Sequence, residues 1–221
     1  MSRIVRGSIG EPIYRLNNQF WPDRDLMLKE AISLRDKPDV WNGELDYSTA
    51  PMMHGKRSFQ AKASIKSLPS DEKHTPYLNQ MFKGFTEMYG DFGNTHPNYF
   101  FIEPNWTYDW HVDTHLSKQM TGSSVLCAMN IVLTDDQTPA EFEGWGEQQY
   151  TACMFNTSVF HRVQTQGKLR VLARITFRDY VFEEVVYRIK KIDNMPTRKN
   201  ILEPPKLVKY LEKKLSKRLN A

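Results

Sequence analysis

The pattern of apolar and polar residues changes along the chain near residue 98. Before this point, apolar side chains recur at helical spacing in residues 23–35 and again in residues 76–89. The second of these segments has clear boundaries, because Thr75 stands at the N-cap position and Gly90 follows the last apolar residue. The pattern therefore predicts two helices in a part of the chain that is otherwise irregular.

After residue 98 the pattern changes to short β-rich runs that are separated by turn residues such as Gly122, Gly144 and Gly167. Many short strands with tight connections are typical of an antiparallel sandwich or barrel. The predicted strands are residues 99–102, 108–113, 124–133, 150–155, 158–163 and 169–182.

The tail, residues 198–221, is basic and amphipathic. Its leucines recur every four residues and lysines occupy the other faces, so the pattern predicts a helix. The tail has a net charge of +6 and the whole chain a net charge of +4, which leaves −2 on residues 1–197. A uniformly basic protein is therefore excluded. The tail is expected to pack on the core through its leucines; as a docking arm it would instead bind nucleic acid or another anionic partner.

Composition indicates a folded, soluble protein. With 40% hydrophobic and 12% aromatic residues, the 221-residue chain has enough apolar material for a core. Its two cysteines, Cys127 and Cys153, lie in apolar runs, as buried thiols in a reducing compartment do. The sequence shows no signal-peptide-like start and no apolar run of membrane-spanning length. We expect a cytoplasmic protein with one domain in residues 1–197, followed by the tail.

The candidate chemistry begins at His111 and Asp113, which are separated by one residue in a predicted strand and therefore point to the same side. A third metal ligand has to come from another strand, and His161 is the remaining histidine in a predicted strand. Two neutral imidazoles and one carboxylate leave three coordination positions open, an arrangement associated with non-haem iron(II) oxygenases. His115 points to the same side of the predicted strand as His111 and Asp113. It would replace one of these ligands if the strand paired in a different register.

Two arginines, Arg170 and Arg174, follow in the next predicted strand. Burying an arginine in an apolar run is costly unless its guanidinium meets an anion. A guanidinium can bind a carboxylate through two hydrogen bonds at once. The sequence therefore predicts an anion-binding group one hairpin after the third metal ligand.

Together these motifs resemble the Fe(II)- and 2-oxoglutarate-dependent dioxygenases, in particular the prolyl-hydroxylase-like branch and small phage and bacterial oxygenases. The resemblance covers residues 98–182 and rests on the His-x-Asp motif, a histidine 50 residues later and an arginine 9 residues after that. It implies a mainly β fold, a double-stranded β-helix (the cupin-like jelly roll). The helices of residues 1–97 would support this core, and a basic helix would follow it.

The resemblance also implies roles for individual residues. His111, Asp113 and His161 would hold Fe(II), and Arg170 would bind the distal carboxylate of 2-oxoglutarate. Arg174 is the alternative candidate for binding this carboxylate, because it lies on the same strand face as Arg170 and begins an Arg-x-Thr sequence like that of some family members. Further hydrogen bonds to the cosubstrate are implied for Tyr99, Tyr108 and Asn130.

The implied reaction consumes dioxygen and 2-oxoglutarate, releases succinate and carbon dioxide, and hydroxylates or demethylates a substrate. A protein side chain, an alkylated nucleobase and a small molecule all fit such a core, because the flanking loops select the substrate. Two alternatives stay open at this point. One is a non-enzymatic jelly-roll binding module with structural histidines; the other is a cupin-type metal enzyme without the cosubstrate, which leaves both arginines unexplained.

Overall fold

The computed structural model describes residues 11–35, 65–70, 73–106, 110–113, 125–135 and 138–194. The predicted tail helix, Tyr108 and His115 lie outside these ranges. The described helices are α1 (Arg24–Arg35), α2 (Pro76–Tyr89) and α3 (Phe182–Asp193). None of them is long and apolar enough to cross a membrane.

Nine strands form two antiparallel sheets in the described part of the chain. The larger sheet has the order β1-β7-β4-β9-β3-β2, and the smaller one has the order β6-β5-β8. The predicted class, antiparallel sheets with a few helices, is therefore confirmed. The strands are β1 (Ile13–Arg15), β2 (Ile65–Pro69), β3 (Thr95–Ile102), β4 (Val125–Val132), β5 (Ala140–Phe142), β6 (Gly146–Gln148), β7 (Ala152–Asn156), β8 (His161–Val163) and β9 (Arg170–Arg178).

Several predicted boundaries are wrong. The part of the chain before residue 98 is not only helical or irregular, because β1 and β2 lie in it and form the two edges of the larger sheet. The last predicted strand, 169–182, is too long, since β9 ends at Arg178 and Asp179 adopts a positive φ of 64° that breaks the extended backbone. Within 110–113, only His111 pairs as an isolated bridge, so the His-x-Asp motif does not lie in a regular strand.

The two faces of the larger sheet have different partners. One face carries large apolar side chains such as Phe101, Met129 and Phe177, which form a continuous core with the buried sides of the three helices. Side chains of the opposite parity point away from the helices, because successive residues of a strand face opposite sides. There Cys153 and Phe155 of β7 pack with Phe142 of the smaller sheet. The predicted arginines of β9 also lie on this second face.

Helix α2 begins where the sequence predicts, but Thr75 makes no side-chain capping hydrogen bond. Instead, the carboxylate of Glu30 in α1 accepts hydrogen bonds from the backbone N–H groups of Tyr77 (2.9 Å) and Leu78 (3.1 Å). The same carboxylate accepts the hydroxyl of Tyr99 in β3 at 2.6 Å. Glu30 is buried and therefore joins two helices and the sheet through one polar group.

Candidate metal centre

The backbone brings the two predicted histidines together. The N–H of His111 donates to the carbonyl of His161, and the N–H of His161 donates to the carbonyl of His111, each at 3.0 Å. Two residues later, the N–H of Asp113 donates to the carbonyl of Thr157 at 3.1 Å. The short segment 110–113 is therefore fixed against the start of β8, and the side chains of the motif are placed by these backbone contacts.

Three side-chain atoms converge at this point, from His111, Asp113 and His161. The Nε2 atoms of His111 and His161 lie 3.4 Å and 3.8 Å from Oδ1 of Asp113. All three ligand atoms lie within 4.8 Å of one another, and this is a group that could hold a metal ion. The structure thus brings together the three residues that the sequence singles out as a metal site.

The hydrogen bonding of His161 favours a cation at the centre of this group. Its Nδ1 lies 2.8 Å from the carbonyl of Val159, which can only accept, so Nδ1 carries the proton. Burial, together with the neighbouring His111, lowers the pKa of His161 to about 3, so the ring is neutral at physiological pH. Its Nε2, 3.8 Å from Oδ1 of Asp113, is therefore the unprotonated nitrogen and is available to a metal ion. Two imidazoles and one carboxylate are a donor set that suits iron.

The second oxygen of Asp113 has a different partner. Nη2 of Arg174 donates to Oδ2 at 2.8 Å. Burial would raise the pKa of Asp113, but the hydrogen bond from His111 and the positive charge of Arg174 outweigh it and hold this pKa well below its usual range. Asp113 is consequently a carboxylate at physiological pH.

Arg170 is buried on the same face of β9, with 1% of its surface exposed. Its Nη1 donates to the carbonyl of Thr138, and its guanidinium lies 5.4 Å from the ring centroid of Tyr150. The burial of Tyr150 raises the pKa of this phenol, and the positive charge of Arg170 opposes the rise. The sequence does not mark Tyr150, because a tyrosine at the start of a predicted strand is common.

The remaining predicted site residues separate into two groups. Asn130 in β4 lies directly opposite Arg174, is 4% exposed, and its Oδ1 accepts no hydrogen bond from the residues that the structure describes. Tyr99 lies on the opposite face of the sheet, where it bonds Glu30 among the helices. The expected contact of Tyr99 with the cosubstrate is therefore corrected: its strand parity points it away from the site.

An aromatic and charged rim lies next to the histidines. The guanidinium of Arg162 lies 4.8 Å from the ring centroid of Trp110 and bonds Glu141 at 2.5 Å. Arg162 and Glu141 are cross-strand neighbours in β8 and β5. Sequence reasoning missed this pair, because the residues are 21 positions apart and only the strand register brings them together.

No family model matches the sequence, and no curated protein matches it. Among solved structures, the chain is similar to a viral collagen prolyl hydroxylase from Paramecium bursaria Chlorella virus-1, with 11% identity over 81% of this chain and 96% of that chain and a TM-score of 0.48. It is also similar to a prolyl hydroxylase from Trichoplax adhaerens in complex with a peptide of the hypoxia inducible factor oxygen degradation domain (12% identity, 79% and 85% covered, TM-score 0.48). A prolyl-4-hydroxylase from Pseudomonas putida matches with 12% identity, 74% and 91% covered and a TM-score of 0.43.

Proposed function

We propose that this protein is an Fe(II)- and 2-oxoglutarate-dependent dioxygenase that hydroxylates or oxidatively demethylates its substrate. The observation that carries the proposal is the convergence of His111, Asp113 and His161, with Nδ1 of His161 engaged by Val159 and its Nε2 left to bind a metal. Two imidazoles and one carboxylate on one side of an iron ion leave positions for a cosubstrate and dioxygen. The two antiparallel sheets that face each other at this site fit a double-stranded β-helix.

When bound, iron and 2-oxoglutarate would activate dioxygen and oxidise a substrate C–H bond, with release of succinate and carbon dioxide. The residues of the chain supply binding and orientation. Val159 fixes the tautomer of His161, so that Nε2 is free to bind metal. Phe142 and Phe155, whose rings lie 5.8 Å and 4.8 Å from that of His161, keep one side of the site apolar.

We assign the binding of the distal carboxylate of 2-oxoglutarate to Arg170. Its guanidinium is buried on the site's face of β9, where an anion would be shielded from water and the attraction correspondingly strong. Tyr150 lies against this guanidinium, and its hydroxyl offers a second donor to the same carboxylate. Asn130, with an amide on the same face, is the next candidate for a polar contact to the cosubstrate.

The decisive experiment measures succinate formed from 2-oxoglutarate by the purified protein, with and without Fe(II). Pools of peptides, oligonucleotides and small molecules are added to find the substrate class. We expect turnover only with iron, and we expect Asp113→Ala to reduce it by at least about a thousandfold, because the variant lacks one of three metal ligands.

The matched control is Glu141→Ala, which removes a half-exposed carboxylate of the smaller sheet that pairs with Arg162. This variant should keep turnover within about threefold, in line with the small energies of exposed ion pairs. A folded wild-type protein that binds no Fe, Mn, Co or Ni would disprove the proposal and favour the binding module. Turnover that survives Asp113→Ala would also disprove it.

A further inference from the structure

We propose that Arg174 is a positioning residue for the metal site: it holds one oxygen of Asp113, so that only the other oxygen faces the two histidines. The inference rests on the proposed function, because it assigns a role towards the metal that the triad would bind. It also separates the tasks of the two arginines of β9.

The two oxygens of Asp113 have different partners. Oδ2 accepts a hydrogen bond from Nη2 of Arg174 at 2.8 Å, a distance typical of a charge-assisted bond. Oδ1 is the oxygen that lies 3.4 Å and 3.8 Å from the imidazoles of His111 and His161. The carboxylate thus turns one oxygen to the arginine and one to the candidate metal position.

Arg174 is held within the larger sheet. Arg174 lies in the middle of β9, paired with Asn98 of β3 on one side and Asn130 of β4 on the other. Its guanidinium is 5.2 Å from the ring centroid of Phe100, and its side chain is 13% exposed. Asp113 ends a short segment whose backbone is held by the bridge between His111 and His161 and by its own N–H, which donates to the carbonyl of Thr157. These backbone contacts set the position of Asp113, and the hydrogen bond from Arg174 sets the rotation of its carboxylate.

The two arginines of β9 are well separated along the strand. They are four positions apart, so they lie roughly 13 Å from each other along the strand at about 3.3 Å per residue. One guanidinium is engaged by a carboxylate of the protein itself, at the metal position. The other, Arg170, is buried further along the same face. The two arginines therefore serve two different carboxylates, that of Asp113 and that of the cosubstrate.

The chemical consequence concerns the number of open positions on the metal. A carboxylate with two unoccupied oxygens can bind a metal through both and take up a position that a cosubstrate needs. A guanidinium on Oδ2 prevents this, in the way that outer hydrogen bonds commonly orient metal ligands. Arg174 would thereby keep three positions open.

The test uses Co(II) alone as a spectroscopic probe and compares the wild type with Arg174→Leu, Arg174→Lys and Arg162→Leu. We measure the visible absorption of bound cobalt and the infrared carboxylate bands in the difference between cobalt-loaded and metal-free protein. Arg174→Leu should change both, because Oδ2 becomes available to the metal. Arg174→Lys should keep the wild-type spectra, since its ammonium group can donate to Oδ2. Arg162→Leu removes a nearby guanidinium that bonds Glu141, and it should change neither spectrum.

Wild-type spectra in a folded Arg174→Leu variant would overturn the positioning role. If Arg174→Leu does not fold, the cobalt-loaded wild type decides: infrared bands of a carboxylate bound through one oxygen support the role, and bands of one bound through both oxygens overturn it. Failure of the wild type to bind cobalt is a distinct result, because it would refute the proposed metal site itself.

Discussion

At the scale of single residues, the neutral state of His161 makes the site sensitive to acid. Burial and the neighbouring His111 lower the pKa of His161 from 6.5 to about 3 in the folded protein. The unfolded chain binds a proton at this residue below about pH 6.5, whereas the folded protein does not. Between pH 6.5 and about pH 3 the unfolded state therefore holds one more proton than the folded state at this residue. The free energy of unfolding consequently falls as the pH falls through this range.

We therefore predict that His161→Gln makes the free energy of unfolding of the metal-free protein less dependent on pH below pH 6.5. Between pH 6.5 and 4, the free energy of unfolding of the wild type should fall more steeply than that of the variant, by up to about 1.4 kcal/mol per pH unit. Urea unfolding at half-unit pH steps, with a chelator present, measures both slopes. Parallel curves for the two proteins would contradict the prediction.

The sequence predicts the candidate metal ligands but not the residues that they contact. His111, Asp113 and His161 carry a recognisable residue type and spacing, so the triad can be predicted. The contact between Asp113 and Arg174 spans 61 positions and depends on where a loop segment meets the middle of a sheet. The prediction for Tyr99 fails for a related reason. The alternation of side chains along a strand shows which residues share a face, but only the packing of the helices shows which face is the core.

At the scale of secondary-structure elements, Glu30 joins α1, α2 and β3. It replaces the expected cap of α2 by a carboxylate from another helix, which also suits the positive end of the helix dipole. Periodicity predicts α1 and α2, because each helix is long enough for its apolar residues to recur on one side. The three-residue strand β1 is too short to show a period. Helix α3 is not predicted, because it begins at Phe182, where the apolar run that continues β9 ends.

We predict that Glu30→Ala lowers the free energy of unfolding by about 3 kcal/mol, because it leaves two backbone N–H groups and the hydroxyl of Tyr99 without their acceptor. Glu30→Gln should cost about half as much, since its amide oxygen can replace part of the bonding. The control is Glu87→Ala on α2, an exposed partner of Lys83 at 3.9 Å, with an expected effect within about 0.5 kcal/mol. Equal denaturation midpoints for Glu30→Ala and Glu87→Ala would refute this role.

At the scale of the whole molecule, the order of the strands in the sheets cannot be predicted from local sequence patterns. Neighbours such as β1 and β7, or β3 and β9, are far apart in the chain. The sequence predicts the class of antiparallel sheets, because short strands and turns are local. It does not predict that N-terminal strands close both edges of the larger sheet, since pairing partners are set by the packing of the complete core.

The basic tail carries a net charge of +6, against −2 on the rest of the chain. We expect deletion of residues 196–221 to leave Co(II) binding and 2-oxoglutarate turnover within about threefold of the full chain, because the triad and both arginines lie in residues 111–174. The affinity for fluorescent DNA and RNA oligonucleotides should also stay within about threefold, because we expect the tail to be a structural helix and not a docking arm. A deletion that keeps turnover but loses oligonucleotide binding would instead identify the tail as a docking arm.

The bridge between His111 and His161 has a consequence for the degradation of the protein in the cell. The two histidines are 50 positions apart, so a metal held by both would act as a removable cross-link that closes a long loop. A ligand that binds only the folded state adds about 2.7 kcal/mol of stability at a hundredfold excess over its Kd. If this metal is the iron of the proposed function, iron starvation would increase unfolding and degradation, and the abundance of this protein would follow the iron supply.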